Sequence, residues 1–167
     1  MKERIAVCPG SFDPVTLGHL NIIKRASACF DKVIVCTMVN SKKSGMFTPE
    51  ERLDMLRRTT ARFPNVEVDA SNELLANYAK RRGANVLVKG LRAVSDFEAE
   101  VQMAVINSKL NPHLETVFLP SSAKYTYLSS TIVKEMARYG CNLEDFIPRE
   151  IVDEVNQRMK ELEGKEG

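Results

Sequence analysis

Short apolar runs alternate with longer amphipathic stretches along the whole chain. Five runs are rich in β-branched residues: RIAVC (4–8), KVIVCTM (32–38), VEVDA (66–70), NVLVKG (85–90) and TVFLP (116–120). Each run is short and bounded by polar or turn residues, as strands buried in a parallel sheet are. The pattern therefore predicts five strands.

Helical spacing and helix-end signals occupy the intervals between these runs. Apolar residues recur at spacings of three and four from 19 to 30, and again in a last helix at about 148–163. Thr48 and Glu51 have the spacing of a capping box, and Ser95 and Glu98 repeat it. We therefore expect helices that begin near these residues.

The alternation of strands and helices indicates an α/β fold, a doubly wound five-stranded parallel sheet of Rossmann-like type with helices on both faces. No repeat, linker or low-complexity tract interrupts the 167 residues, so we expect a single domain over 1–167 that ends in a frayed tail. In such sheets ligands bind beyond the carboxyl ends of the strands, where the strand order reverses.

Polar segments follow the strands and do not precede them. These segments are PGSFDPVTLGH (9–19), NSKKSGMF (40–47), SNELLANY (71–78), KGLRAVSDFE (89–98) and PSSAKYTYLSST (120–131). The connections that enter the strands, such as FDK and FPN, are short and chemically plain. This asymmetry predicts a binding site at the carboxyl edge of the sheet.

The segment 9–19 has the features of a phosphate-binding loop. The free amides of the helix that begins near Gly18 favour an anion, Ser11 adds a hydroxyl, and His19 lies in the first helical turn. The spacing alone is equally compatible with a tight turn in which His19 bonds a backbone carbonyl. Neither the dinucleotide-binding glycine pattern nor a Walker loop is present.

Cations and hydroxyls follow the later strands. Lys89 and Arg92, at a strand end, suit an anionic ligand. Lys42 and Lys43 are either solvated loop lysines or phosphate contacts. Residues 129–131 carry three hydroxyls, and a helix N-cap needs only one of them. We therefore predict that the other two are free to bind a second phosphate. His113 is expected in a surface loop.

Composition excludes several classes of function. A net charge of +2, no long Lys/Arg run and no Trp argue against nucleic-acid binding. No apolar run has membrane-spanning length, and the N-terminus lacks the apolar stretch of a signal peptide. The four cysteines form no Cys-x-x-Cys pair, so we expect reduced thiols in a cytoplasmic protein and no zinc site.

The chemistry that remains is transfer at a nucleotide phosphate. The chain shows no Ser-His-Asp set and no paired catalytic carboxylates, so nucleophilic or hydrolytic catalysis has no evident agent. Binding a polyphosphate and stabilising charge on it needs only donors and cations in position.

GSFDPVTLGH (10–19) and LSSTIVKE (128–135) resemble the two signatures of the nucleotidyltransferase superfamily. With SKKSGMFTPEER, ELLANYA and KGLRAVSDFE in the same order, the chain from about Arg4 to the last helix resembles bacterial phosphopantetheine adenylyltransferases. The resemblance implies that ATP and 4′-phosphopantetheine give dephospho-coenzyme A and pyrophosphate, the penultimate step of coenzyme A biosynthesis. It also implies Mg²⁺ bound with ATP and not by protein ligands, feedback binding of coenzyme A, and a homo-hexamer.

The resemblance also assigns roles to residues. His19 would stabilise charge on the α-phosphate, and Lys43 and Lys89, with Lys42 as a weaker candidate, would stabilise the transition state. ATP would be bound by Ser11, Phe12, His19, Gly90, Leu91, Arg92, Glu100, Tyr125, Thr126, Tyr127, Leu128, Ser129, Ser130 and Thr131. Phosphopantetheine would be bound by Ser11, Lys43, Leu75 and Lys89.

Four positions depart from the family pattern: Cys8 and Ala99 replace a common Tyr, Ser11 a common Thr, and Lys89 the usual Arg. Ser11 keeps the hydroxyl of the common Thr, and Lys89 keeps the positive charge of the usual Arg. Two rival interpretations are a superfamily transferase that acts on nicotinate mononucleotide or a small phosphorylated alcohol, and a nucleotide- or coenzyme-A-binding sensor without catalysis. The segments ELLANYA and KGLRAVSDFE argue against the first rival, and the complete set of cations and hydroxyls argues against the second.

Overall fold

The computed structural model of the protein describes residues 3–40 and 44–164. Its elements are β1 (Ile5–Gly10), α1 (Leu17–Cys29), β2 (Lys32–Met38), α2 (Pro49–Thr60), β3 (Val66–Ser71), α3 (Leu75–Arg81), β4 (Val86–Leu91), α4 (Val94–Leu110), β5 (Glu115–Pro120), α5 (Ser130–Arg138) and α6 (Val152–Glu163). Short 3₁₀ turns lie at Ala123–Tyr125 and Arg149–Ile151. Each predicted strand is present within one or two residues of its predicted ends.

The five strands form one parallel sheet in the order β3-β2-β1-β4-β5, which confirms the predicted fold class. The strand order reverses between β1 and β4. These two strands pair only at Ala6 with Val86 and at Val7 with Leu87, whereas β1 and β2 pair over six residues. The carboxyl halves of β1 and β4 are therefore not joined by the ladder, and a crevice can open between them.

Two apolar layers cover the faces of the sheet. Alternate residues of β2 point into different clusters: Val33 and Val35 into one, Ile34 and Cys36 into the other. The larger cluster contains buried residues of α1, α2, α5 and α6, and the smaller cluster contains residues of α3. The site must therefore lie at the ends of the strands, because both faces are packed.

The helices begin and end mostly at the capping residues that the sequence predicts. Thr48 and Glu51 form the predicted capping box of α2, and Gly83 ends the α3 segment with a φ of 68°. The capping box predicted from Ser95 and Glu98 is wrong. Helix α4 begins at Val94 with Ala93 as its N-cap, so Ser95 is already inside the helix.

Helix α4 carries an exposed apolar face. Val94, with 84% of its surface exposed, is accompanied there by Phe97, Met103, Val105, Ile106 and Leu110. No helix within residues 3–40 and 44–164 is long and apolar enough to cross a membrane. An apolar face of this extent on one helix is typical of a contact surface between proteins.

Candidate active site

A crevice of about 350 Å³ opens at the carboxyl ends of β1 and β4, where the sequence predicted a binding site. Segments that follow β1, β4 and β5 line it, so three of the five polar segments meet there. The candidate residues that line it are Ser11, Phe12, His19, Lys89, Gly90, Arg92, Glu100, Tyr125, Leu128, Ser129, Ser130 and Thr131. Helices α1 and α5 both begin at this crevice and direct their N-termini towards it.

His19 is the third residue of α1 and forms a capping box with Thr16. The backbone amide of Thr16 donates to Nδ1 of His19 over 3.0 Å, and the backbone amide of His19 donates to Oγ1 of Thr16 over 3.2 Å. Because Nδ1 accepts a hydrogen bond, the proton of the neutral ring lies on Nε2. Nε2–H of His19 takes no part in the capping box and is therefore available to donate a hydrogen bond.

The surroundings of His19 favour its neutral form. Burial lowers its pKa, and the positive charges of Arg92 and Lys89 lower it further, to about 4. At neutral pH the ring therefore has one donor proton and no net charge. Its environment is suited to hydrogen-bond donation and not to taking up a proton as a general base.

Both cations of the crevice are held by carboxylates. Nζ of Lys89 lies 3.3 Å from Oε1 of Glu100, and Nε of Arg92 lies 3.2 Å from Oδ2 of Asp96. Arg92 also donates from Nη1 to the carbonyl of Leu128 over 3.0 Å. Because these cations are partly exposed, a phosphate that enters the crevice can compete for them.

The hydroxyl residues at the start of α5 have different tasks. Ser129 is the N-cap and accepts from the amide of Ile132 over 3.1 Å. Ser130 donates to the carbonyl of Pro14 over 2.8 Å, so it ties α5 to the segment after β1. Ser130 is therefore not a spare hydroxyl as the sequence predicted, while Thr131 is exposed at the crevice.

Tight packing shapes the segment that follows β1. A Cβ on Gly10 would lie 3.0 Å from the ring of Phe12, and Phe12 itself has a φ of 48°, in the left-handed region. The Phe12 ring is buried and meets the His19 ring edge-on, with centroids 5.0 Å apart. Phe12 thus supports the His19 ring with its own side chain.

Gly90 is needed for packing between a strand and a helix. A Cβ at this position would lie 2.9 Å from Cγ1 of Ile22 on α1. From the sequence, Gly90 is explained by the close approach of a ligand, and the contact with Ile22 is a second reason for a glycine.

Cys8 lies buried in the wall of the same crevice, where burial raises the pKa of its thiol to about 12. Its thiol therefore stays protonated at neutral pH.

Several candidate residues do not line the crevice. Leu91, Thr126 and Tyr127 lie next to residues that do, and the Tyr127 ring is 55% exposed and packs edge-on against Phe146. Leu75 begins α3 and packs against the smaller core cluster. Lys42 and Lys43 lie outside the described residues. His113 is exposed after α4, as predicted.

Four residues that support the site were not among the candidates predicted from the sequence. Thr16 orients His19, Asp96 holds Arg92, and Arg52 donates from Nη1 to the carbonyl of Ser11 over 3.1 Å. Asp13, only 6% exposed, accepts from the backbone amides of Met46 and Phe47. Only Thr16 had a signal in the sequence, because it precedes His19 by the three residues of a capping box.

The sequence of this chain is similar to those of known proteins of one family. A family model described as cytidylyltransferase-like matches residues 7–136. The phosphopantetheine adenylyltransferase of Caldanaerobacter subterraneus subsp. tengcongensis is 50% identical over 157 residues, which cover 94% of this chain and 98% of that protein. The phosphopantetheine adenylyltransferase of Clostridium botulinum strain Hall is 48% identical over 156 residues, or 93% and 95% of the two chains.

Two solved structures share the fold. A protein described as a nicotinate-nucleotide adenylyltransferase from Vibrio parahaemolyticus superposes with a TM-score of 0.71 at 17% identity, over 95% of both chains. The nicotinic acid mononucleotide adenylyltransferase of Plasmodium falciparum superposes with a TM-score of 0.63 at 14% identity, over 91% of this chain and 94% of that chain. At such identities the likeness concerns the fold alone.

Proposed function

This chain belongs to the phosphopantetheine adenylyltransferase family of the cytidylyltransferase-like proteins, and we propose that it transfers AMP from ATP to 4′-phosphopantetheine, with dephospho-coenzyme A and pyrophosphate as products. The reaction is the penultimate step of coenzyme A biosynthesis. One observation carries the assignment: two helix N-termini, two cations and a neutral histidine face the same crevice. Each of these features stabilises negative charge on a phosphate.

The chemistry we propose is a direct displacement. A phosphate oxygen of 4′-phosphopantetheine attacks the α-phosphorus of ATP, a new P–O bond forms, and the bond to the bridging oxygen breaks with release of pyrophosphate. Nε2–H of His19 donates to an oxygen of the α-phosphate as charge accumulates there. Lys89 and Arg92 neutralise the phosphates, and no covalent enzyme intermediate is required.

The remaining assignments are the ones that the family resemblance implies. ATP lies against Gly90, Leu91, Arg92 and Glu100, with the segment 125–131 closing over it. Ser11 contacts the phosphopantetheine phosphate and the phosphates of ATP. Lys43 binds the phosphopantetheine phosphate, and Leu75, the first residue of α3, contacts the pantetheine arm.

We treat Mg²⁺ as part of the nucleotide substrate. Within the ranges that the structure describes, no group of three or more His, Cys, Asp or Glu side chains could hold a metal ion. The two carboxylates at the crevice, Asp96 and Glu100, are each paired with a cation. Triphosphate oxygens and water are therefore the natural ligands for an ion that enters with ATP.

We also propose that the chain assembles as a homo-oligomer, a hexamer by its resemblance to the family. The exposed apolar face of α4 supports this assembly, because burying Val94, Met103, Val105 and Ile106 against a second copy removes apolar surface from water. Feedback binding of coenzyme A follows from its chemistry, since it contains both the pantetheine and the adenylate parts of the product. Four unpaired thiols in the described ranges support a cytoplasmic location.

A single assay tests the proposed function. Purified protein is incubated with Mg²⁺ and either ATP or CTP, and pyrophosphate is measured with 4′-phosphopantetheine, with nicotinate mononucleotide and with neither. We expect release that requires both ATP and phosphopantetheine. Release that instead requires nicotinate mononucleotide would support the superfamily rival, and binding of ATP or coenzyme A with no pyrophosphate would support the sensor rival.

A further inference from the structure

Phe12 has a strained backbone in the segment that follows β1. Its φ of 48° lies in the left-handed region, which a bulky residue adopts only where the surrounding structure enforces it. Its ring is 4% exposed and meets the ring of His19 edge-on, with 5.0 Å between the centroids. The strained residue therefore lies directly against the histidine of the site.

Arg52, on α2, holds the peptide that precedes this strained residue. Its Nη1 donates to the carbonyl of Ser11 over 3.1 Å, and its Nε donates to the carbonyl of Thr48 over 3.4 Å. The carbonyl of Ser11 and the amide of Phe12 belong to one planar peptide, and a rotation of that plane changes the φ of Phe12. A bond that fixes this carbonyl therefore also restrains the backbone of Phe12.

The guanidinium of Arg52 is buried without a carboxylate partner. Only 8% of the residue is exposed, and within residues 3–40 and 44–164 no Asp or Glu pairs with it, whereas Glu51 and Arg58 on the same helix are both paired. Burial of an unpaired cation is costly, so stability alone is a poor explanation for this arginine. Arg52 is not part of the crevice lining either. Any effect on the reaction therefore passes through the residues that it holds.

We propose that Arg52 is a positioning residue for His19 and acts through Phe12. Its bond to the carbonyl of Ser11 keeps Phe12 in the left-handed region and keeps the Phe12 ring against the His19 ring. The capping box with Thr16 fixes Nδ1 of the histidine, and the Phe12 ring limits the tilt of the imidazole plane and so the direction of Nε2–H. The inference rests on the proposed function, because it assumes that Nε2–H donates to the α-phosphate.

A competing explanation is that Asp13 alone fixes this segment. The carboxylate of Asp13 accepts from the backbone amides of Met46 and Phe47, so the residue after Phe12 has an anchor of its own. On that explanation Arg52 serves only to stabilise the contact between α2 and the segment after β1. Its removal would then lower stability and leave the kinetics unchanged.

Arg58 is a matched control, because it lies on the same helix and its bonds lead away from the crevice. It pairs with Asp54 and Glu154 and donates to the carbonyl of Glu150 over 3.0 Å. Arg52→Met and Arg58→Met are compared by pyrophosphate release at saturating substrates and by thermal unfolding. We expect Arg52→Met to lower kcat about tenfold, and Arg58→Met to lower only the unfolding temperature. Equal kcat values in the two variants would overturn the inference.

Proton NMR measures the contact between the two rings directly. Rings this close give a nuclear Overhauser cross-peak between Phe12 and His19, which we expect in the wild type and in Arg58→Met and expect to weaken in Arg52→Met. An undiminished cross-peak in Arg52→Met would refute the route through Phe12, even if kcat fell. If Arg52→Met does not fold, Arg52→Gln takes its place with the same expected outcomes, because its side chain is too short to span the two carbonyls.

A double-mutant cycle tests whether the lost rate belongs to His19. In a His19→Ala background Arg52→Met should lower kcat by less than about twofold, because the group that it positions is already absent. A further tenfold loss in that background would refute the route through His19. Wild-type protein that releases no pyrophosphate would refute the proposed function instead, while the NMR comparison would still test the positioning of the ring. The two failures are therefore distinguishable.

Discussion

The backbone amide of Thr16 donates a hydrogen bond of 3.0 Å to Nδ1 of His19. The bond belongs to the capping box that begins α1. The same contact that satisfies the Thr16 amide therefore also determines which ring nitrogen of His19 carries the proton. Nε2–H is left as the donor towards the crevice. Helix capping and the proposed transition-state stabilisation thus depend on the same pair of residues.

Removal of the His19 ring should abolish most of the turnover without unfolding the protein. We expect His19→Ala to lower kcat on the order of 10²-fold or more, by analogy with the loss of an oxyanion donor. The assay is pyrophosphate release at saturating substrates, with circular dichroism to monitor the fold. His113→Ala removes the only other histidine, which is exposed, and should retain full activity. Turnover near the wild-type value in His19→Ala would refute the proposed role.

The protonation of His19 can be measured directly by nitrogen NMR. Its pKa of about 4 predicts a neutral ring with the proton on Nε2 from pH 5 to pH 8. The ordinary histidine pKa is about 6.5, so between pH 6.5 and pH 4 the unfolded chain binds more protons at this site than the folded chain. Stability should therefore decrease as the pH falls through this interval, and His19→Gln should weaken that decrease. Titration of His19 near pH 6.5 would contradict the prediction.

The cation at position 89 should matter through its charge. Lys89→Met is expected to lower kcat/KM by about 10- to 100-fold, the cost of one charge-assisted hydrogen bond of about 1.5–3 kcal/mol. Lys89→Arg keeps the charge and should remain within about tenfold of the wild type. Kinetics with each substrate varied in turn provide the measurement. Similar losses in both variants would indicate that side-chain shape, and not charge, determines the contribution.

The apolar face of α4 should control assembly. Val105→Glu places a charge among the exposed apolar side chains of α4, where burial of an unpaired carboxylate is costly, so we expect the variant to sediment as a smaller species than the wild type. Tyr139→Glu is the control, because Tyr139 is exposed and lies outside α4. Analytical ultracentrifugation of the three proteins gives the result. A wild-type protein that sediments as a monomer would contradict the proposed assembly.

A buried tyrosine provides a test of stability that is independent of the site. The Tyr78 side chain is fully buried, and its hydroxyl donates to Oδ2 of Asp69 over 2.8 Å. Tyr78→Phe should lower the free energy of unfolding by about 1 kcal/mol, because a partly buried carboxylate oxygen loses a donor. Arg82 remains as a partner of Asp69, which keeps the loss moderate. Urea denaturation measures the change, and unchanged stability would show that Arg82 alone satisfies Asp69.

The sequence by itself determined the elements and the edge of the sheet at which the site lies. Apolar runs of strand length, separated by helical patterns, lead to a parallel sheet, and in a parallel sheet every segment that follows a strand emerges at the same edge. Ser11, His19, Lys89 and Arg92 could therefore be placed together from the order of the segments. The failed capping box at Ser95 shows the limit of this reasoning, because such a box is defined by three-residue spacing alone and many segments have that spacing.

Only the tertiary structure decided which charged groups hold the site in place. The ladder between β1 and β4 stops after Val7, and this early end opens the crevice. Asp13 accepts from the amides of Met46 and Phe47, which lie 33 and 34 positions further along the chain. Arg158 donates to the carbonyl of Met46, which lies 112 positions before it. No periodicity or local spacing records such contacts, because they depend on how the layers pack. Local patterns thus specified the parts of the site, and long-range packing specified their geometry.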